Sequence, residues 1–154
     1  MKLEKGTKRV MVNSVKLEVI TPSKLFYSGE VELVIVTTLT GDEGFMANHS
    51  WATKLLDVGE LWIQEKGKTY DEFKVAAVSG GFIDVKESIV IFTDAAEWSE
   101  DIDMERVLSK KATVEDWIKH RAEYEDPANI EKARIELAKE INRMKVAGGG
   151  KRRR

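Results

Sequence analysis

From Val15 to about Phe92 the chain keeps a short apolar–polar period, and beyond about Ala95 the period lengthens to steps of three and four. "VKLEVI" (Val15–Ile20) alternates with period two, as a half-buried strand does. Thr21-Pro22-Ser23 breaks it. In "LFYSGEVELVIVTT" Ser28-Gly29 reads as a turn and residues 31–38 as a β-branched strand. Further strands are expected around 53–56, 60–64, 73–79, 81–85 and 88–92, punctuated by Gly59, Gly67 and Gly80-Gly81. Many short strands with no helical pattern between them argue for an antiparallel sandwich or barrel.

The second half carries helix chemistry. Asp101 suits an N-cap, and Asp103 and Glu105 place negative charge where the first turn's N–H groups point outward. Met104, Val107, Val114 and Ile118 can share one face. "YEDPAN" stops that run, with Asp126 as a second cap and Pro127 in the next first turn. Ile130, Ala133, Leu137, Ile141 and Met144 then form a narrow stripe. Two amphipathic helices joined by a short loop predict an antiparallel hairpin. Because so narrow a stripe buries little, the hairpin needs the sandwich, its partner helix or another subunit, and is able to move. The expected division is a polar extension over 1–14, a β-sandwich over 15–96, a helical hairpin over 97–147 and a basic tail, taken as disordered, over 148–154.

Composition narrows the functional classes. The 154 residues are 42% apolar and 34% charged with a net charge of -2, an ordinary folded composition with no global pull toward nucleic acid. The absence of cysteine excludes a disulfide frame, a thiolate metal site and a cysteine nucleophile. No apolar run is long enough to span a bilayer, and no signal-peptide core follows the N-terminus, so a cytosolic location is expected.

Candidate chemistry is sparse. Gly67-Lys68-Thr69 is the end of a phosphate-binding P-loop, but Trp62 stands where its first glycine belongs, so a hairpin turn is expected. Ser79-Gly80-Gly81 lacks the preceding glycine of a nucleophile elbow, having Ala77 there, and suggests a bulge or tight corner. In "GDEGFMANHSW" the adjacent Asp42 and Glu43 would diverge in an extended segment, so with His49 they make a poor metal site. His120 reads as a solvated helix residue. Of the four tryptophans, Trp62 reads as core, while Trp51 and Trp98 could anchor an interface. No convergent acid, base or nucleophile set appears, and no enzyme is expected. From the pattern alone, a stand-alone β-sandwich binding module with a helical interaction hairpin is an open alternative.

The order of the segments is itself informative. "LEVITPSKLFYSGEVELVIV" leads to "GDEGFMANHSW", then "LLDVGEL", "VSGGFIDV" and "IFTDAAEWSEDID", and then two helices. This resembles the epsilon subunit of bacterial F-type ATP synthase over nearly the whole chain. The resemblance implies a sandwich of about ten strands followed by a mobile two-helix domain. It also implies a non-catalytic rotor subunit with no required cofactor. Its partners would be the gamma subunit, the c-ring and, when the helices extend, the alpha/beta head. Membrane contact would come only through the complex, at the cytoplasmic face of the bacterial membrane. Asp42, Glu43 and Gly44 match the family loop that meets the c-ring. His49 matches a histidine facing gamma, preceded here by Ala47-Asn48 instead of Pro-Gly; Asn48 can adopt the left-handed conformation a glycine would supply. Some members bind ATP as a regulatory ligand on the hairpin. That pattern falls on Ile102, Asp103, Arg106 and Val107, with Glu97 assisting and Lys139 and Arg143 at the positions of two arginines. Val107 adds bulk where the family has alanine, and Lys139 lacks the planar fork of arginine.

Overall fold

The computed structural model describes residues 13–69 and 71–149. Residues 1–12 of the expected extension over 1–14 and residues 150–154 of the expected tail over 148–154 lie outside the described residues. The strands are β1 (Val15–Ile20), β2 (Leu25–Thr38), β3 (Gly41–Phe45), β4 (Ala52–Glu65), β5 (Lys74–Val85), β6 (Ile89–Phe92) and β7 (Ala96–Trp98). A 3-10 turn (Ser99–Asp101) leads to α1 (Met104–Arg121) and α2 (Pro127–Ala147).

The sheet runs β1-β6-β5-β4-β2-β3, closes through a β1–β2 pairing, and carries β7 on β5. All pairs are antiparallel except β1–β6, which is parallel. Closure brings the inward residues of each strand onto one core. Leu17, Val34, Phe45, Leu61, Ile83 and Ile91 are fully buried there. Alternation along β1, with Val15, Leu17 and Val19 inward, is what the period of two requires.

The described residues form seven strands, not the expected ten or so. The reason lies in three long strands that run through positions resembling breaks. Ser28-Gly29 is not a turn but part of β2, with Gly29 opposite Leu17. Gly59 does not end a strand either. It lies inside β4, where a Cβ would come within 2.4 Å of the Thr37 side chain on β2, so glycine permits a close approach of strands. Gly80 and Gly81 lie inside β5 with φ of +78° and +108°. They bend the strand, so that residues before them pair with β7 and residues after them with β6. Gly67, with φ of +81°, does form the β4–β5 turn.

The helices begin where their caps allow. Asp103, not Asp101, is the N-cap of α1, its carboxylate accepting from the Arg106 amide at 3.2 Å. Asp101 is taken up in the 3-10 turn, and Ile102 stays extended because its side chain packs on the outer face of the sheet. Asp126 caps α2 through the Ala128 amide, with Pro127 opening the helix. Within the hairpin Val107 and Ile130 are buried, while Met104, placed on the same expected face, is exposed. The hairpin lies on the outside of the sandwich, and the C-terminal part of α2 makes the contact. Val146 is fully buried among Trp62, Val75 and Ala77, and Asn142 Nδ2 donates to the Gly59 carbonyl at 2.9 Å.

Candidate functional site

Two stretches distant in sequence, one running from β7 into α1 and the other in α2, meet in one polar cleft of about 180 Å³. β7 supplies Glu97, the turn and start of α1 supply Asp101, Asp103, Arg106, Val107 and Lys110, and α2 supplies Glu140 and Arg143. The α1 residues share the cleft because positions three and four apart on a helix lie on one face. At its base Glu140 is only 2% exposed. Its carboxylate accepts from Arg143 Nη1 at 2.6 Å and pairs with Lys110 Nζ at 3.3 Å. Arg143 Nε also lies 3.8 Å from Glu97. A carboxylate withdrawn from water is tolerable only with such partners. Arg106 is exposed at the mouth and makes no ion pair among the described residues.

Of the residues singled out on the hairpin, Glu97, Asp103, Arg106 and Arg143 converge here. Ile102 turns into the apolar cluster with Trp62 and Val146. Lys139 pairs with Glu136 at 3.4 Å and opens to a neighbouring cavity with Ser79 and Asn142. The bulk of Val107 is present at the cleft wall, where it is buried. Sequence patterning missed Lys110 and Glu140. The signal for Glu140 was a charged residue set inside the apolar stripe, between Leu137 and Ile141.

Next to the cleft, burial works against the Glu136 carboxylate, but Lys139 and Lys110 outweigh it and hold its pKa below the ordinary value of 4.5. A depressed carboxylate stabilises the folded state above its unfolded pKa and loses that contribution as pH falls through the folded value. Hairpin protection in hydrogen exchange should therefore weaken as pH drops below 4.5. Glu136→Gln should flatten that part of the pH profile, and an unchanged profile would contradict the assignment.

The second candidate region is the β2–β3 hairpin and the loop after it. Asp42 is exposed, accepts from Thr37 Oγ1 at 2.9 Å, and shares a shallow cavity with Asn142 and Lys145 of α2. Glu43 is turned back to the sheet, where Lys54 Nζ donates to both its oxygens at 2.7 and 2.9 Å. Gly44 is exposed on β3. His49 is half-buried, its ring edge-on to Phe45 at 4.8 Å and its Nδ1 2.7 Å from the Ser50 carbonyl. Asn48 has φ of +63°, so the asparagine does take the left-handed conformation. Among the described residues no three His, Cys, Asp or Glu side chains are grouped to hold a metal ion, and no helix is long and apolar enough to cross a membrane.

One surface escaped the sequence reading. Leu55, Phe82 and Phe92 are direct cross-strand partners on β4, β5 and β6, all exposed, with the two phenyl rings stacked at 4.9 Å. Trp51 is 68% exposed at the head of β4. An apolar row across a sheet marks a contact surface more than a solvated one. By contrast Trp98 is half-buried, stacked on Phe26 at 4.5 Å.

Residues 14–99 match the family model for the ATP synthase delta/epsilon chain, β-sandwich domain. The ATP synthase epsilon chain of Desulforamulus reducens is 37% identical over 138 residues, covering 89% of this chain and 99% of the relative. That of Caldicellulosiruptor bescii is 34% identical over 133 residues, covering 86% and 92%. The chain belongs to the ATP synthase epsilon-chain family. It is thereby a subunit of an enzyme complex. A chain of the Euglena gracilis mitochondrial ATP synthase superposes with a TM-score of 0.69, covering 96% of this chain and 88% of that one. At 20% identity that likeness speaks for the fold, and it extends over sandwich and hairpin together.

Proposed function

We propose that this chain is the non-catalytic central-stalk subunit of an F-type ATP synthase. It joins the gamma subunit to the c-ring, turns with the rotor, and so helps couple ion translocation to ATP synthesis. Its hairpin restrains ATP hydrolysis by moving between a docked pose on the sandwich and an extended pose toward the alpha/beta head. The chain works at the cytoplasmic face of the bacterial membrane and meets the membrane only through the complex.

The observation that carries this reading is the asymmetry of the hairpin's attachment. The sandwich closes its own core without the helices, while α2 is held through a small cluster around Val146, a hydrogen bond from the Asn142 amide to the Gly59 carbonyl and the ion pairs of the cleft. Such a contact is small enough for two poses to be separated by a few kcal/mol. Asp42 is suited to the c-ring side. His49, with the apolar row that begins at Leu55, is suited to gamma. ATP, as a regulatory and not a required ligand, would enter the cleft of Arg106, Lys110 and Arg143, with Glu97 and Asp103 at its rim.

Deleting residues 103–154 in the assembled complex should raise ATP hydrolysis several-fold while the stalk still assembles. Unchanged hydrolysis would remove the inhibitory role, and failure to co-purify with gamma and the c-ring would remove the stalk assignment.

A further inference from the structure

The cleft between β7, α1 and α2 already contains an anion. Arg106, Lys110 and Arg143 face Glu97, Asp101, Asp103 and Glu140, so three cations are outnumbered by four carboxylates. A triphosphate entering there would find a net negative lining. It would also find two of its three cations engaged, since Lys110 Nζ and Arg143 Nη1 lie 3.3 and 2.6 Å from Glu140. Glu140 differs from the other three carboxylates in being almost wholly withdrawn from water. Glu97 is 41% exposed, and Asp101 and Asp103 are exposed at the rim.

We propose that Glu140 is a built-in substitute for a ligand phosphate. Its carboxylate fills the seat between Lys110 and Arg143, ties α1 to α2 and, through Arg143 and Glu97, ties both to β7. The docked hairpin therefore needs no nucleotide to neutralise its cations, and a polyphosphate binds only weakly because it must displace a buried, doubly paired carboxylate. This rests on the reading of the cleft as the nucleotide's entry site and sets its affinity. Removing the charge while keeping the shape should turn the lining from net negative to neutral. It should leave Lys110 only its pairing with Glu136 at 3.5 Å and Arg143 only that with Glu97 at 3.8 Å. Both of those carboxylates are more exposed than Glu140, so an external anion can compete for the two cations.

The test uses the full chain, wild type and Glu140→Gln, titrated calorimetrically with tripolyphosphate and separately with ATP. Hydrogen exchange of α2 amides reports whether the hairpin stays docked. Glu140→Gln should bind tripolyphosphate at least about ten-fold more tightly than wild type, and adding Arg143→Ala should abolish the gain. Glu97→Gln, which neutralises a solvated carboxylate of the same cleft, should change affinity far less. No gain in tripolyphosphate affinity with the hairpin docked overturns the proposal. So does wild-type ATP binding as tight as that of the variant, although nucleotide entry would then stand. A gain for tripolyphosphate without one for ATP supports the role of Glu140 and removes the nucleotide reading. If Glu140→Gln undocks the hairpin, tripolyphosphate should restore α2 protection by refilling the vacated seat. Failure to restore it overturns the proposal as well.

Discussion

Gly81→Ala should destabilise the sandwich severely. At φ of +108° an L side chain is strained, and an ideal Cβ would stand 1.9 Å from the Phe92 carbonyl oxygen and 2.9 Å from the Thr93 Cα. These are backbone atoms of the neighbouring strand and its extension, so no side chain can swing aside. Either β5 loses its bend or β6 moves off it, and both routes break the ring of strands that encloses Ile83 and Ile91. Backbone strain of this kind costs about 1–3 kcal/mol by itself. Adding the displaced strand should take the loss beyond about 3 kcal/mol, a large part of the roughly 5–15 kcal/mol that holds a domain folded. For a sandwich of this size that corresponds to a midpoint lowered by more than about 12 °C. Thermal unfolding followed by far-UV circular dichroism is the measurement. A midpoint within a few degrees of wild type would mean that β5 and β6 are not held together as described. The same variant should fail to assemble into the stalk, since the surface built from Leu55, Phe82 and Phe92 depends on that pairing.

Val146→Asp should release the hairpin and leave the sandwich standing. Val146 has no exposed surface and packs on Trp62, Val75 and Ala77. Burying such a side chain is worth about 1.5–3 kcal/mol, and a carboxylate there would have no cation to meet among those neighbours. The docking equilibrium should shift by at least about 2 kcal/mol, roughly thirty-fold toward the undocked pose. In the isolated protein, α2 amides should lose protection while the sandwich's unfolding midpoint barely moves, because Leu17, Leu61 and Ile83 belong to a separate cluster. In the assembled complex, a freed hairpin spends more time extended, so ATP hydrolysis should fall. Deleting residues 103–154 in the same background should cancel that fall. Faster hydrolysis in Val146→Asp would contradict restraint by the extended helices. The two substitutions thus separate the two halves of the molecule, one destabilising the platform and the other freeing only what rests on it.

What the amino-acid order determined by itself is local in origin. The period-two pattern of Val15–Ile20 and the spaced stripe from Ile130 to Met144 follow from side chains placed two, three or four residues apart, and the elements formed where those periods are clean. The Asp126-Pro127 start of α2 was legible because a cap satisfies amides only two or three residues away. The left-handed Asn48 was legible from the resemblance, since asparagine tolerates the conformation of the glycine it stands in for. The family, too, could be read from the order of the segments.

The tertiary structure decided the rest. Gly59 looked like a break between strands and Gly80-Gly81 like a bulge or tight corner, since glycine's freedom is visible in sequence but its cause is not. The cause in one case is the Thr37 side chain, and in the other the backbone of the strand across the sheet. Asp103 displaced Asp101 as the cap because Ile102 found an apolar seat on a face made by β4, β5 and α2. The cleft was least legible of all. Glu140 is a long stretch of chain away from Glu97 and Lys110, and what joins them is the packing of α2 on β7 and α1. A carboxylate in an apolar stripe is an anomaly while it is only a letter. It becomes a buried ionic centre once folding has brought Lys110 and Arg143 to it, because the cost of removing its charge from water is offset only by partners that local sequence cannot supply.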